Sequence, residues 1–173
     1  GTLAASLTLL GACAGAGEAT RPGARTGDTL WVTGRLGGSL PSGHHFTFKP
    51  RLAEGAWLAR QREVRAMMDL SDGLAKDVHA LTPRGAAAAI DRHTLPRRRG
   101  ASVRAALAVG EDYELVFALA QDAEAEAFAH RWRRAFPRVP LTCIGRFVPK
   151  GRLPGRALDL RAYHGYEHLQ ARA

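Results

Sequence analysis

Cysteine is almost missing from this chain: 173 residues hold 2, and neither a CxxC nor an HExxH pattern accompanies them. A disulfide-built scaffold is excluded and a zinc site is disfavoured. Cys13 and Cys143 read instead as small buried thiols of a reducing compartment. Aromatic residues are also few, at 7%, so the core has to rest on a limited set of Leu, Val, Ile and Phe positions. Lysine is scarcer still, with Lys49, Lys76 and Lys150 the exceptions among 25 basic residues. No apolar run approaches the ~20 residues that a helix needs to cross a bilayer. No internal repeat, low-complexity tract or GxxxxGK[ST] phosphate loop is present either.

What is present is globular in composition. Hydrophobic residues make up 46% and charged residues 24%, which excludes wholesale disorder. The length suits one domain, or one domain with part of another. A net charge of +9 and a pI near 10.7 suggest a polyanionic partner. An arginine- and alanine-rich, lysine-poor chain is also what a GC-rich genome writes, so charge alone decides little. Near the start, Leu10-Gly11-Ala12-Cys13 has the look of a lipoprotein cleavage box, yet the basic segment of a signal peptide is missing before it. The apolar stretch is therefore expected to form a buried strand, Leu3 to Leu10, followed by a Gly-rich turn. Beginning at Gly1 rather than Met, the chain reads as a piece whose upstream part is missing.

The remaining pattern alternates helix and strand. Thr29 to Thr33 is a β-rich run between turn signals. Gly37 to Ser42 is a Gly/Ser/Pro loop and the best place for a domain boundary. Pro50 opens a helix whose Leu52, Ala56 and Ala59 share a face. Val64 to Leu70 reads as a buried strand that runs into Ser71-Asp72-Gly73. A helix follows, with Leu74, Val78 and Leu81 on one side. Ala86 to Ile90, Glu114 to Leu119 and Leu141 to Val148 read as further strands, and Asp122 to Phe136 as a long amphipathic helix. Arg97-Arg98-Arg99-Gly100 is a basic loop. The fold class expected is α/β (α+β).

Chemistry concentrates at Met68-Asp69-Leu70-Ser71-Asp72-Gly73-Leu74. Two carboxylates and a hydroxyl lie where a strand turns into a helix, and a helix start offers N–H groups and a positive dipole end to phosphate. Asp69 and Asp72 are hard oxygen ligands of the kind Mg²⁺ takes alongside substrate phosphates. On chemistry alone a plainer reading competes: Ser71 is an N-cap and Asp72 a first-turn acid, with no ligand required.

Further segments bear on that choice. Arg21-Pro22-Gly23 with Gly27-Asp28-Thr29-Leu30-Trp31-Val32-Thr33-Gly34, then Pro50-Arg51-Leu52, the Asp69 motif, and Gly110-Glu111-Asp112-Tyr113-Glu114-Leu115 follow in order. Ile144-Gly145-Arg146-Phe147 and the closing Gly165-Tyr166-Glu167-His168-Leu169 complete the series. In this order the segments closely resemble thiamine-monophosphate kinase, of the aminoimidazole-ribonucleotide-synthetase-like superfamily. The resemblance implies transfer of the γ-phosphoryl group of ATP to thiamine phosphate, with Mg²⁺, in a cytoplasmic homodimer of two-domain subunits. It implies that Asp69 and Asp72 bind Mg²⁺, that Ser71 and Arg21 contact ATP, and that Glu111 and Tyr166 lie on the thiamine phosphate side. No general base is evident, and phosphoryl transfer by positioning and charge neutralisation requires none.

It also implies a division of the chain. Residues 1–43 would be the end of an N-terminal α/β domain, and 44–173 a complete C-terminal mixed-sheet domain. The first acidic Mg²⁺ motifs would then precede Gly1, and the piece alone is expected to be inactive. Departures from the family pattern are Glu167 for Asp, Leu169 for Phe, and Val109 where a second Gly is usual, a change expected to tighten that turn. The segment Pro41 to Phe48 is also short. Alternatives are a sister enzyme of the hydrogenase-maturation or selenophosphate type, a ligand-binding remnant, or a basic nucleic-acid-binding protein using Arg97–Arg99 and the Arg131–Arg134 helix face. Basic and aromatic residues do not interleave, so neither nucleic acid nor membrane is the expected partner.

Overall fold

The computed structural model describes residues 5–10 and 19–165. In chain order its elements are β1 (Thr29–Thr33), α1 (Ser39–Ser42), α2 (His44–Thr47), α3 (Leu52–Ala59), β2 (Val64–Asp69), α4 (Leu74–Leu81) and β3 (Ala86–Ile90). These are followed by α5 (Val103–Ala108), β4 (Leu115–Leu119), α6 (Ala125–Ala135) and β5 (Leu141–Pro149). Short 3-10 turns lie at Arg21–Gly23, Lys150–Arg152 and Leu160–Ala162. The strands form one sheet in the order β2-β4-β1-β5-β3, and each neighbouring pair is antiparallel. A parallel pairing, Leu36 with Arg97, is an isolated bridge. The architecture is the mixed α and β one expected.

Both faces of the sheet are covered, and side-chain alternation sorts residues between them. Leu30, Val32, Val116 and Ala118 point to the cluster containing Leu74, Val78 and Leu81 of α4 and Leu107 of α5. Trp31, Phe117 and Leu119 point the other way, to Leu58 of α3 and Phe128 and Trp132 of α6. Because both sides are buried, β1 and β4 read in the sequence as continuous apolar runs rather than as alternations. A register shift opposite Leu30/Trp31 lets Ile144 and Phe147 share a face although they stand three positions apart.

Several expectations change. No strand forms among residues 5–10, and Leu7, Leu9 and Leu10 are 83%, 84% and 96% exposed. An apolar run becomes a buried strand only when a sheet edge pairs with it, and neither β2 nor β3 pairs with this one. Cys13 lies outside the described residues, while the Cys143 thiol is half-buried and burial raises its pKa. The Gly37–Ser42 loop closes into α1, flanked by left-handed Gly38 and Gly43. The α3 face is reversed: Leu52 is 77% exposed and Leu58 is buried. In two turns of helix the apolar spacing of alanines carries little weight beside one leucine and one tryptophan. The sheet also runs across residue 43, since β1 pairs with both β4 and β5.

Candidate functional site

The Asp69 motif and the Gly110–Leu115 segment are distant in sequence and bonded in space. The amide of Glu111 donates to the Ser71 carbonyl at 2.8 Å, and that of Tyr113 to the Leu70 carbonyl at 2.8 Å. The Leu70 amide answers to the Glu114 carbonyl at 2.8 Å. Approach is so close that a Cβ at Gly110 would lie 2.2 Å from the Ser71 carbonyl oxygen, so no other residue fits without displacement. Val109, the departure beside it, has ordinary extended backbone, φ −88 and ψ 117. A valine is accommodated there without left-handed backbone.

The 110–114 loop is held from three directions. Asp112 turns inward to accept the Gly37 amide at 2.7 Å, and Ser39 Oγ donates to the Glu111 carbonyl at 2.6 Å. Glu114, its side chain 3% exposed, receives Arg51 on both carboxylate oxygens at 2.7 Å. Thr33 Oγ1 donates to the same carboxylate at 2.8 Å. This clamp keeps two non-glycine residues, Glu111 and Tyr113, at φ 63 and 51. Such backbone costs about 1–3 kcal/mol per residue and persists only where surrounding contacts determine it. Asp112 is raised from 3.8 to about 6, chiefly by burial. Its Oδ1 and the nearby Arg98 Nε are buried without a hydrogen-bond partner among the described residues, 3.9 Å apart.

At the other half of the site the helix start is built differently from the N-cap reading. The cap is Gly73, with no side-chain hydrogen bond. Ser71 and Asp72 precede it, so neither is a cap nor a first-turn acid. Asp77 Oδ2, from inside α4, accepts the amides of Asp72 and Gly73, each at 3.1 Å. Two donors of the turn are thereby turned inward and are not available to a phosphate. Burial, countered by those hydrogen bonds and reinforced by Asp72 and Asp69, raises Asp77 from 3.8 to about 6. The Asp72 carboxylate pairs with Lys76 Nζ at 2.8 Å, and Asp69 is exposed at the end of β2.

Asp69, Ser71, Asp72 and Glu111 are thus brought to one region, and Arg21 stands exposed in a 3-10 turn packed against β2 and α4. Tyr166 lies outside the described residues. Its neighbour Gly165 rests on the same turn, where a Cβ would lie 2.6 Å from both the Asp72 carbonyl oxygen and Lys76 Cβ. No group of three or more His, Cys, Asp or Glu side chains among the described residues could hold a metal. Asp69 and Asp72 suit a Mg²⁺ ion that takes the rest of its shell from phosphate and water.

Sequence reasoning missed Asp77, Asp112, Arg51, Glu114 and Thr33. Glu114 and Asp112 stood inside a recognised motif, but their burial gave no signal there.

No family model matches the chain. A curated thiamine-monophosphate kinase of Rhodopirellula baltica is 35% identical over 159 residues, covering 86% of this chain and 48% of that protein. Another, of Halobacterium salinarum, is 34% identical, covering 86% of this chain and 56% of that protein. The chain spans about half the length of these relatives. Among solved structures, AaThiL complexed with AMPPCP and TMP superposes with a TM-score of 0.56 at 28% identity, covering 86% of this chain and 53% of that one. The hydrogenase maturation protein HypE, 18% identical with a TM-score of 0.56 over 82% of this chain and 50% of its own, shares the fold alone. The chain is a relative of the thiamine-monophosphate kinases, matched over most of its own length and about half of theirs, and its fold is the aminoimidazole-ribonucleotide-synthetase-like one.

Proposed function

We propose that this chain is part of a kinase that phosphorylates thiamine phosphate to thiamine diphosphate with ATP. The observation that carries the proposal is the 2.8 Å bond between the Glu111 amide and the Ser71 carbonyl. It joins the two-aspartate turn to the acceptor-side loop in a chain whose relatives bear that enzyme's name. A relative's structure with AMPPCP and TMP, the latter read as thiamine monophosphate, supports the same pair of ligands.

In this reading Asp69 and Asp72 hold Mg²⁺, whose charge would offset that of the triphosphate. Arg21, a permanently charged fork, and the Ser71 hydroxyl bind phosphate oxygens. Glu111 and Tyr166 orient the acceptor. With little covalent work for the protein, these residues align the two ligands and neutralise charge. A homodimer in the cytoplasm belongs to the proposal. Among the described residues no helix is long and apolar enough to cross a membrane. The domain division proposed at residue 43 is moved ahead of Thr29, because β1 is a central strand of the sheet.

The hydrogenase-maturation alternative rests on fold similarity alone at 18% identity. For the nucleic-acid alternative, several of its arginines have internal partners. Arg131 pairs with Glu63 at 2.6 Å, Arg97 donates to the Ala101 carbonyl at 2.9 Å, and Arg98 lies beside Asp112. Titration of the complete gene product with AMPPCP, with and without Mg²⁺, tests the kinase reading. Mg²⁺-dependent binding lost in Asp72→Asn supports it, and equal binding by both proteins rejects the metal role.

A further inference from the structure

Tyr113 has no role in the reading above, yet its placement is unusual in three ways. Its backbone is left-handed, φ 51, in a residue type with no preference for that region. Its ring lies nearly parallel to that of Phe48, centroids 4.1 Å apart and planes at 20°. Burial first, and then the charges of Glu111 and Asp69, raise the pKa of its hydroxyl. Like any phenol of ordinary pKa, about 10, it is a donor at neutral pH.

Packing alone explains the stack but not the backbone. An extended Tyr113 would give up its amide bond to the Leu70 carbonyl, so the turn and the position of the ring are set together. The left-handed turn is held by the Tyr113 amide on the Leu70 carbonyl and by Asp112 on Gly37. It leaves Tyr113 half-buried at the acid-bearing end of the site while Asp112 goes inside.

The acceptor proposed above has two demands that Asp69 and Glu111 do not meet. A phosphate monoester next to two carboxylates needs an uncharged or positive donor between them. A flat, cationic heterocycle needs an aromatic face. Tyr113 offers both on one side chain, and Phe48 fixes the plane of its ring.

We infer that Tyr113, backed by Phe48, is an acceptor-recognition residue that contacts both the phosphate and the heterocycle of thiamine phosphate. The inference rests on the kinase reading. The test is equilibrium titration of the complete gene product with thiamine phosphate and with thiamine, at saturating AMPPCP and Mg²⁺. Variants are Tyr113→Gly, which removes the side chain while suiting the left-handed backbone, and Tyr113→Phe, which removes the hydroxyl alone.

Tyr113→Gly is expected to weaken thiamine phosphate binding about 3- to 30-fold, with AMPPCP affinity held within about twofold. Tyr113→Phe is expected to weaken thiamine phosphate but not thiamine. Unchanged thiamine phosphate affinity in Tyr113→Gly overturns the inference and leaves the kinase reading standing. Equal losses for AMPPCP and thiamine phosphate overturn it too, assigning Tyr113 to the loop framework. Failure of the unaltered protein to bind thiamine phosphate overturns both.

Discussion

Arg51 and Glu114 meet across 63 residues of chain in a pair whose carboxylate side is almost dry. Removing the guanidinium would leave that charge among Thr33, the strand ends and little else, and breaking a buried pair typically costs about 3–5 kcal/mol. Arg51→Ala should therefore lower stability by roughly 3 kcal/mol in a urea unfolding series. Arg51→Ala combined with Glu114→Leu should recover part of that, because the orphaned charge is gone. Equal stability of Arg51→Ala and the unaltered protein would show that the pair is solvated. Such residues were the least legible in the sequence. Asp69, Ser71, Asp72 and Glu111 stand in short contiguous motifs, and the family resemblance singled them out as candidates. The value of Arg51 and Thr33 lies in partners 63 and 81 residues away, and no local pattern carries that information. Asp77 was equally hidden, because its role depends on α4 turning a carboxylate back to the loop that precedes it.

At the scale of elements, the strands and long helices were largely readable, since their faces pack against known periodicities. Thr29–Thr33 and Ala86–Ile90 form where expected, and Leu74, Val78 and Leu81 are buried together. The apolar start failed because local pattern cannot say whether a sheet edge is available. The 37–42 loop failed because its contacts to the 110–114 loop fold it into a helix. Those two loops are the joint on which the site depends. Gly110→Ala should drive the Ser71 carbonyl away and cost about 2–3 kcal/mol, as overpacking against backbone does. Amide exchange at Glu111 and Tyr113 should accelerate with it, and protection equal to that of the unaltered protein would contradict the close approach. Asp112 gives the joint a pH dependence. Its folded pKa, about 6, exceeds the unfolded value of 3.8, so the folded state binds the extra proton in that window. Its contribution is fully present below pH 3.8 and is lost as pH rises through 6. Asp112→Asn keeps an acceptor for the Gly37 amide, so melting temperatures of the two proteins should diverge upward in favour of the variant from pH 4 to pH 7. A constant difference across that range would assign Asp112 an ordinary carboxylate pKa.

At the scale of the whole molecule, a single antiparallel sheet brings the two-aspartate turn and the 110–114 loop together at the ends of the paired strands β2 and β4. The 3-10 turn bearing Arg21 packs against β2 and α4. The net charge of +9 has the sign that suits the anionic ligands proposed. Turnover tests this account most directly. The complete gene product is incubated with ATP, Mg²⁺ and thiamine phosphate, and thiamine diphosphate is measured by chromatography. Thiamine diphosphate should form, and Asp72→Asn should lower its rate by about 100-fold or more, the scale on which lost electrostatic stabilisation acts. No thiamine diphosphate from the unaltered protein, or an unchanged rate in Asp72→Asn, would contradict it.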